Sequence, residues 1–252
     1  MVYLDCHSVD AALASFAAAC QRPVAAVAEA VLSYRTEWTE YEPHLVAAGP
    51  REVFRLLDVA ETDATFEGVY YFHGTRIFDT TTFRKEGILP LGQMIDRLWA
   101  SLYTLVADIV TDTEWRRLRA DIEAGAGAGG YQYCLKTPSP NLHGPYAHLA
   151  REHHLPRDGH HNYLTIPEIV EDIARSCGLD LAQRFQDTTT PCVVKFRTTG
   201  VDTETLHAGF WYIHGMLHNG TPGWFSQSDY DGRGNAVPPE DVVSVELIDA
   251  TR

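Results

Sequence analysis

Val69-Tyr70-Tyr71-Phe72 runs directly into His73-Gly74-Thr75-Arg76, and that join decides how the rest of the chain is read. The aromatic and β-branched run predicts a buried strand. A glycine just past it lets a ligand approach the backbone, because no side chain stands in the way. Downstream, Thr80-Thr81-Thr82 leads a short helix that Gly87 and Pro90 close before Leu91. A histidine, a glycine, a hydroxyl and an arginine therefore follow one another at the end of a hydrophobic strand.

Upstream the pattern is helical. Ser8-Val9-Asp10 caps a run that continues to Cys20, Arg22-Pro23 breaks it, and Val24 to Tyr34 restarts it. A third short helix is predicted from Arg51 to Val59. The restarted helix carries no basic residue until Arg35, so a groove-reading helix-turn-helix is set aside. Further on, apolar residues from Met94 to Val110 fall at a period of 3.6, and Trp115, Leu118 and Ile122 continue a second helix. Gly125 to Gly130 reads as a hinge, Tyr131 to Leu135 as a strand, and Gly144-Pro145-Tyr146-Ala147 as the opening of a helix that reaches Glu152. Pro167 opens a helix that ends at Gly178, Val193 to Phe196 is a strand, and Leu206 to Leu217 is a helix. After a loop from Gly220 to Pro239, Val242 to Ile248 forms a closing strand. Strands and helices interleave irregularly and no dinucleotide glycine fingerprint follows a strand, which predicts α+β rather than a doubly wound sheet.

Composition sets the outer limits. The 252 residues are 45% hydrophobic and 21% charged, which excludes intrinsic disorder. No apolar run approaches the roughly 20 residues of a bilayer span, and no leader pattern is visible, so a soluble cytoplasmic protein is expected. The balance of 34 acidic against 20 basic side chains gives −14, so extended phosphate-backbone binding faces repulsion. Cys6, Cys20, Cys134, Cys177 and Cys192 have neither metal-knuckle nor redox spacing and read as reduced thiols.

Six of the twelve histidines lie between His143 and His161. Adjacent histidines on an extended chain point to opposite faces, so His153-His154 and His160-His161 offer one ligand each. His214 and His218 share a helix face, yet two ligands do not make a site. No serine elbow occurs, and Cys192 is explained by packing. The site assignment accordingly includes no metal, and a histidine-based metal hydrolase is the remotest alternative.

The segment from His73 to Pro90 resembles the first motif of the ADP-ribosyltransferase superfamily, which includes poly(ADP-ribose) polymerases, diphtheria-toxin-like toxins and RNA 2′-phosphotransferases. There a strand ending in His-Gly-Thr meets the NAD ribose, and a helix followed by a glycine and a proline returns the chain. Trp224-Phe225-Ser226, Gly232 to Asn235 and Val237-Pro238-Pro239-Glu240-Asp241-Val242 resemble the family's closing module. The likeness spans Phe66 to Leu247.

It implies a split antiparallel sheet with NAD as substrate. Residues 64–252 would form the transferase-like domain, with a helical insertion over about 91–130 and a helical N-terminal element over 1–63. It implies that His73, Gly74 and Thr75 position NAD, that Arg76 meets a phosphate, that Tyr146 stacks on nicotinamide, and that Asp231 or Glu240 supplies the carboxylate. Asp229 is a further acid of the same region, and Arg233 is a second phosphate candidate beside Arg76. No Glu-x-Glu pair is present, which is a departure from arginine-specific transferases. The expected activity is transfer of ADP-ribose from NAD to a protein or nucleic-acid acceptor, in a toxin or defence setting, with no membrane partner and with a homo-oligomer allowed. The alternative is an inactive relative that binds a nucleotide, an RNA end or a protein.

Overall fold

The computed structural model describes residues 1–35, 47–155 and 163–249. In chain order the helices are α1 (Val9–Cys20), α2 (Val24–Ser33), α3 (Ala48–Leu56), α4 (Thr82–Glu86), α5 (Leu91–Val106), α6 (Asp112–Glu123), α7 (Gly130–Lys136), α8 (Glu168–Cys177), α9 (Leu181–Thr188) and α10 (Thr203–Asn219). The strands are β1 (Tyr3–Leu4), β2 (Gly68–Ile77), β3 (Tyr146–His148), β4 (Thr190–Thr199), β5 (Asp229–Asp231) and β6 (Val242–Leu247). They pair in the order β5-β3-β2-β4-β6, with β1 parallel to β2. The chain is α+β.

Two compact units interleave in sequence. One comprises Met1–Phe72, Ala147–His153 and Phe196–Tyr230, and the other His73–Tyr146, His154–Lys195 and Asp231–Arg252. This is a different division from an N-terminal element ending at residue 63, because β1 pairs with β2 and carries the N-terminus into the sheet.

In the first unit, Ser8 caps α1 by accepting the Ala11 amide at 3.2 Å, and Pro23 opens α2 with its ring at the N-cap. Both helices pack on α10, whose residues from Leu206 to Ile213 are buried. Phe16 of α1 meets Phe66 edge-on at 5.5 Å. Three imidazoles of α10 bond to N-terminal elements: His207 to the Glu61 carboxylate (2.7 Å), His214 to the Tyr34 carbonyl (3.1 Å) and His218 to the Val31 carbonyl (3.4 Å).

The second unit holds a helical core of α5 to α9 around Trp99, Leu102, Trp115, Ile173 and Leu181. The Trp99 indole donates to Tyr133 Oη and the Trp115 indole to the Trp99 carbonyl, both at 3.2 Å. Lys136 Nζ bonds the almost fully buried Asp172 at 2.5 Å and lies 3.3 Å from Glu168.

Three sequence expectations are corrected. Tyr131 to Leu135 is helical, inside α7, because Tyr133 docks against Trp99 and that contact outweighs the β preference of the aromatics. Tyr146 lies in strand β3 rather than at a helix start: Gly144 is left-handed and the Pro145 carbonyl accepts the Gly232 amide at 3.0 Å, so local carbonyls are taken across the sheet. Strand β2 is ten residues long and continues through His73 to Ile77, so His73 sits within the strand. All five cysteines are free; burial pushes Cys20 and Cys177 up to about 11 and Cys192 up to about 12, which keeps them as thiols at neutral pH. No single helix among the described residues is long and apolar enough to cross a membrane.

Candidate functional site

Strand geometry sorts the motif before any contact is considered. Side chains alternate along β2, so His73 and Thr75 project to one face and Gly74 and Arg76 to the other. The two pairs meet very different surroundings.

On the first face, His73 Nδ1 donates to the Tyr146 carbonyl at 2.7 Å. A carbonyl oxygen only accepts, so the proton resides on Nδ1 and the ring is held in one orientation. Tyr146 is 51% exposed, and its hydroxyl donates to the Leu142 carbonyl at 3.2 Å, which fixes the ring from its far end. Partial burial pushes the Tyr146 phenol up, and the nearby Asp231 carboxylate adds to the shift.

Asp231 ends β5, and the turn beyond it is fastened to the segment leading into Tyr146. Gly232 N–H donates to Pro145 O at 3.0 Å and Gly234 N–H to Gly144 O at 2.8 Å. The structure thus joins the His73 imidazole to the Tyr146 backbone and sets Asp231 near the Tyr146 phenol, while the register Phe72↔His148 places the Tyr146 side chain on the face of Gly74 rather than that of His73. Thr75 is half-buried on the His73 face of the strand. Glu240 is elsewhere: it is exposed in the 3-10 turn Pro239–Asp241, which packs against α4. Of the two expected acids, Asp231 is the one whose charge reaches Tyr146.

Arg76 and Gly74 are engaged within the protein. Arg76 donates to Thr189 Oγ1 (2.9 Å) and to the carbonyls of Leu164 (2.6 Å), Gln186 (2.7 Å) and Thr189 (2.7 Å). Its guanidinium is committed to backbone carbonyls, and burial lowers its pKa. The phosphate contact expected of Arg76 thus meets a guanidinium already bonded within the protein. Gly74 has a second explanation as well: a Cβ there would overlap the imidazole of His154, itself buried to 6% exposure. The bare face of the glycine is needed for a side chain of this protein.

The histidine-rich segment disperses. His143 bonds the Thr137 carbonyl at 3.3 Å, and His154 covers Gly74. In the first unit, His148 Nδ1 lies 2.6 Å from Asp229 Oδ1, and His153 Nε2 is 3.3 Å from the fully buried Ser226 Oγ. Asp229, the other acid of this region, is thus bonded to His148. His160 and His161 lie outside the described residues. Among the described residues no group of three or more His, Cys, Asp or Glu side chains is arranged to hold a metal ion.

Sequence reasoning missed His154 as the reason for Gly74, and no local signal could have supplied it, since the two are 80 positions apart (154 − 74). It also passed over the turn chemistry of Asp231-Gly232-Arg233-Gly234-Asn235, whose glycines and Asn mark a tight reversal. Arg233 adopts φ +48°, the left-handed region that favours glycine. No family model matches the chain, and neither a curated protein nor a solved structure matches it.

Proposed function

We propose that the chain is an NAD-dependent ADP-ribosyltransferase of the ADP-ribosyltransferase-like superfamily, acting at His73, Thr75, Tyr146 and Asp231 on a macromolecular acceptor. One observation carries this reading: the imidazole of the first motif is hydrogen-bonded to the backbone of the Gly-Pro-Tyr motif at 2.7 Å. Residues that are distant in sequence, and that the resemblance assigns to one site, are joined through this bond, with Asp231 near the Tyr146 phenol.

In the reaction, His73 and Thr75 hold the nicotinamide-side ribose through its hydroxyls, and the Tyr146 ring packs on nicotinamide. The C1′–N bond breaks with its electron pair leaving on nicotinamide. Asp231 stabilises the positive charge on the ribose by its fixed position. A nucleophile of the acceptor then bonds to C1′ and loses its proton to the Asp231 carboxylate or to water.

The test uses NAD labelled in the adenine ring, incubated with protein and nucleic-acid acceptors. Wild type labels an acceptor, and Asp231→Asn lowers the rate by about 100-fold, the size expected when a preorganised charge is removed. Equal labelling by both would remove Asp231 from the mechanism. A second reading, an inactive nucleotide- or protein-binding relative, is favoured by the commitment of Arg76 and by His154 lying on Gly74. Under it, wild type binds NAD and leaves it intact.

A further inference from the structure

We infer that the first unit carries a separate binding site, a cavity along α3 that takes a free aliphatic amino acid. The inference stands independently of the transferase reading, which concerns residues of the second unit. The cavity has a volume of about 440 Å³. Its walls are Arg51, Phe54 and Arg55 of α3 and, beyond the helix, Asp58, Val59 and Glu61. Small-molecule sites run from about 300 to 1,000 Å³, so this one lies at the small end.

The pattern of charge selects the ligand. Arg51 and Arg55 stand four positions apart (55 − 51) and so share one face of α3. Arg55 is occupied, since its Nε and Nη2 donate to the two oxygens of Glu52 at 2.8 and 2.6 Å. Arg51 is exposed, and among the described residues its guanidinium has no hydrogen bond or ion pair. The same holds for the carboxylate of Asp58. Glu61 is held differently. Its side chain is only 25% exposed, and its Oε1 bonds Nε2 of His207 at 2.7 Å. His207 is itself buried to 7% exposure, so a buried donor fixes this carboxylate in the cavity wall and leaves Oε2 without a protein partner among the described residues.

One uncommitted cation and two carboxylate groups with acceptor capacity to spare thus line one small space. A simple anion there meets Asp58 and Glu61, and a simple cation meets Arg51. A molecule bearing both signs satisfies both sides. Its carboxylate takes charge-assisted hydrogen bonds from Arg51, and its ammonium donates to Asp58 and to Glu61 Oε2. In a free amino acid both charges sit on one carbon, which suits a cavity of this size. Phe54, 4% exposed, and Val59 give the apolar ground for a short aliphatic side chain.

The experiment follows amide resonances of the full chain during NMR titration with L-leucine, N-acetyl-L-leucine, which lacks the ammonium, and L-leucinamide, which lacks the carboxylate. The proteins compared are wild type, Arg51→Gln and Asp58→Asn. Both substitutions fall on exposed side chains without partners, so the variants are expected to melt at the wild-type temperature. L-Leucine is expected to bind wild type with a Kd of about 1 mM or below, shifting resonances of residues 51–61 and of His207. Each substitution, and each capped derivative on wild type, should weaken binding by at least about 10-fold, the loss of one charge-assisted contact. No shift with L-leucine overturns the inference, as do shifts confined to other parts of the chain. Binding that survives both substitutions unchanged, or that is equal for L-leucine and its capped derivatives, overturns it too.

Discussion

His73 and Arg76 are three residues apart on one strand and belong to different parts of the molecule's economy of contacts. His73 is half-buried, and its Nδ1 donates to the Tyr146 carbonyl. Arg76 faces inward, where four bonds tie it to the segment around Leu164 and to the junction of α9 and β4. Gly74 goes with Arg76, since His154 packs on it. A contiguous four-residue motif is thus split by strand alternation into a half-buried pair, His73 and Thr75, and a pair engaged within the protein, Gly74 and Arg76. The general lesson is that a motif on a strand must be read at every second residue before roles are assigned.

The comparison breaks most visibly at Arg76. Arg76→Ala leaves the carbonyls of Leu164, Gln186 and Thr189 without their donor, and about 2–4 kcal/mol of stability should be lost in denaturant unfolding. A stable Arg76→Ala protein with a selective defect in NAD binding would reverse the assignment of the two faces. Gly74→Ala drives a methyl group into the buried His154 ring and should cost about 1–3 kcal/mol, the range for overpacking. Combining it with His154→Ala should recover most of that loss, because the clash has one named partner.

A smaller effect concerns the imidazole of His214 in α10. Burial lowers the His214 pKa, with the neighbouring His218 adding to the shift against the bond to Tyr34. The folded state therefore binds a proton less readily than the unfolded one. Its contribution is fully present above the ordinary value of 6.5 and is lost as pH falls through 6.5 toward the lower folded value. Denaturation midpoints measured between pH 7.5 and 5 should fall for wild type and fall less steeply for His214→Gln. Identical slopes would show that His214 does not carry this acid sensitivity.

Much of the fold was legible because its signals are local. Pro23 and Pro167 open helices, Gly87 and Gly178 close them in positive φ, and the alternating residues from Val242 to Leu247 form the last strand, as their patterns predict. Tyr131 to Leu135 and Tyr146 to His148 were misread because distant partners set their conformation, Trp99 in one case and the neighbouring strands in the other. The short strands β1, β3 and β5 carry no readable signal, since two or three residues show no periodicity, and α9 begins without a side-chain cap at Asp180 to mark it. At the candidate site, the meeting of His73, Tyr146 and Asp231 follows from residues singled out by sequence. The use of Arg76 does not, because Thr189 lies 113 positions away in sequence and no pattern near Arg76 announces it.

The most direct test of the His73 face is nicotinamide release from NAD by wild type beside His73→Ala. Truncating a half-buried strand residue that bonds a backbone carbonyl should cost about 1–3 kcal/mol of stability, so rates are compared below the melting temperature of the variant. Wild type is predicted to release nicotinamide and folded His73→Ala to do so at least about 100-fold more slowly. Equal rates in the two proteins, or no release by either, would contradict the account.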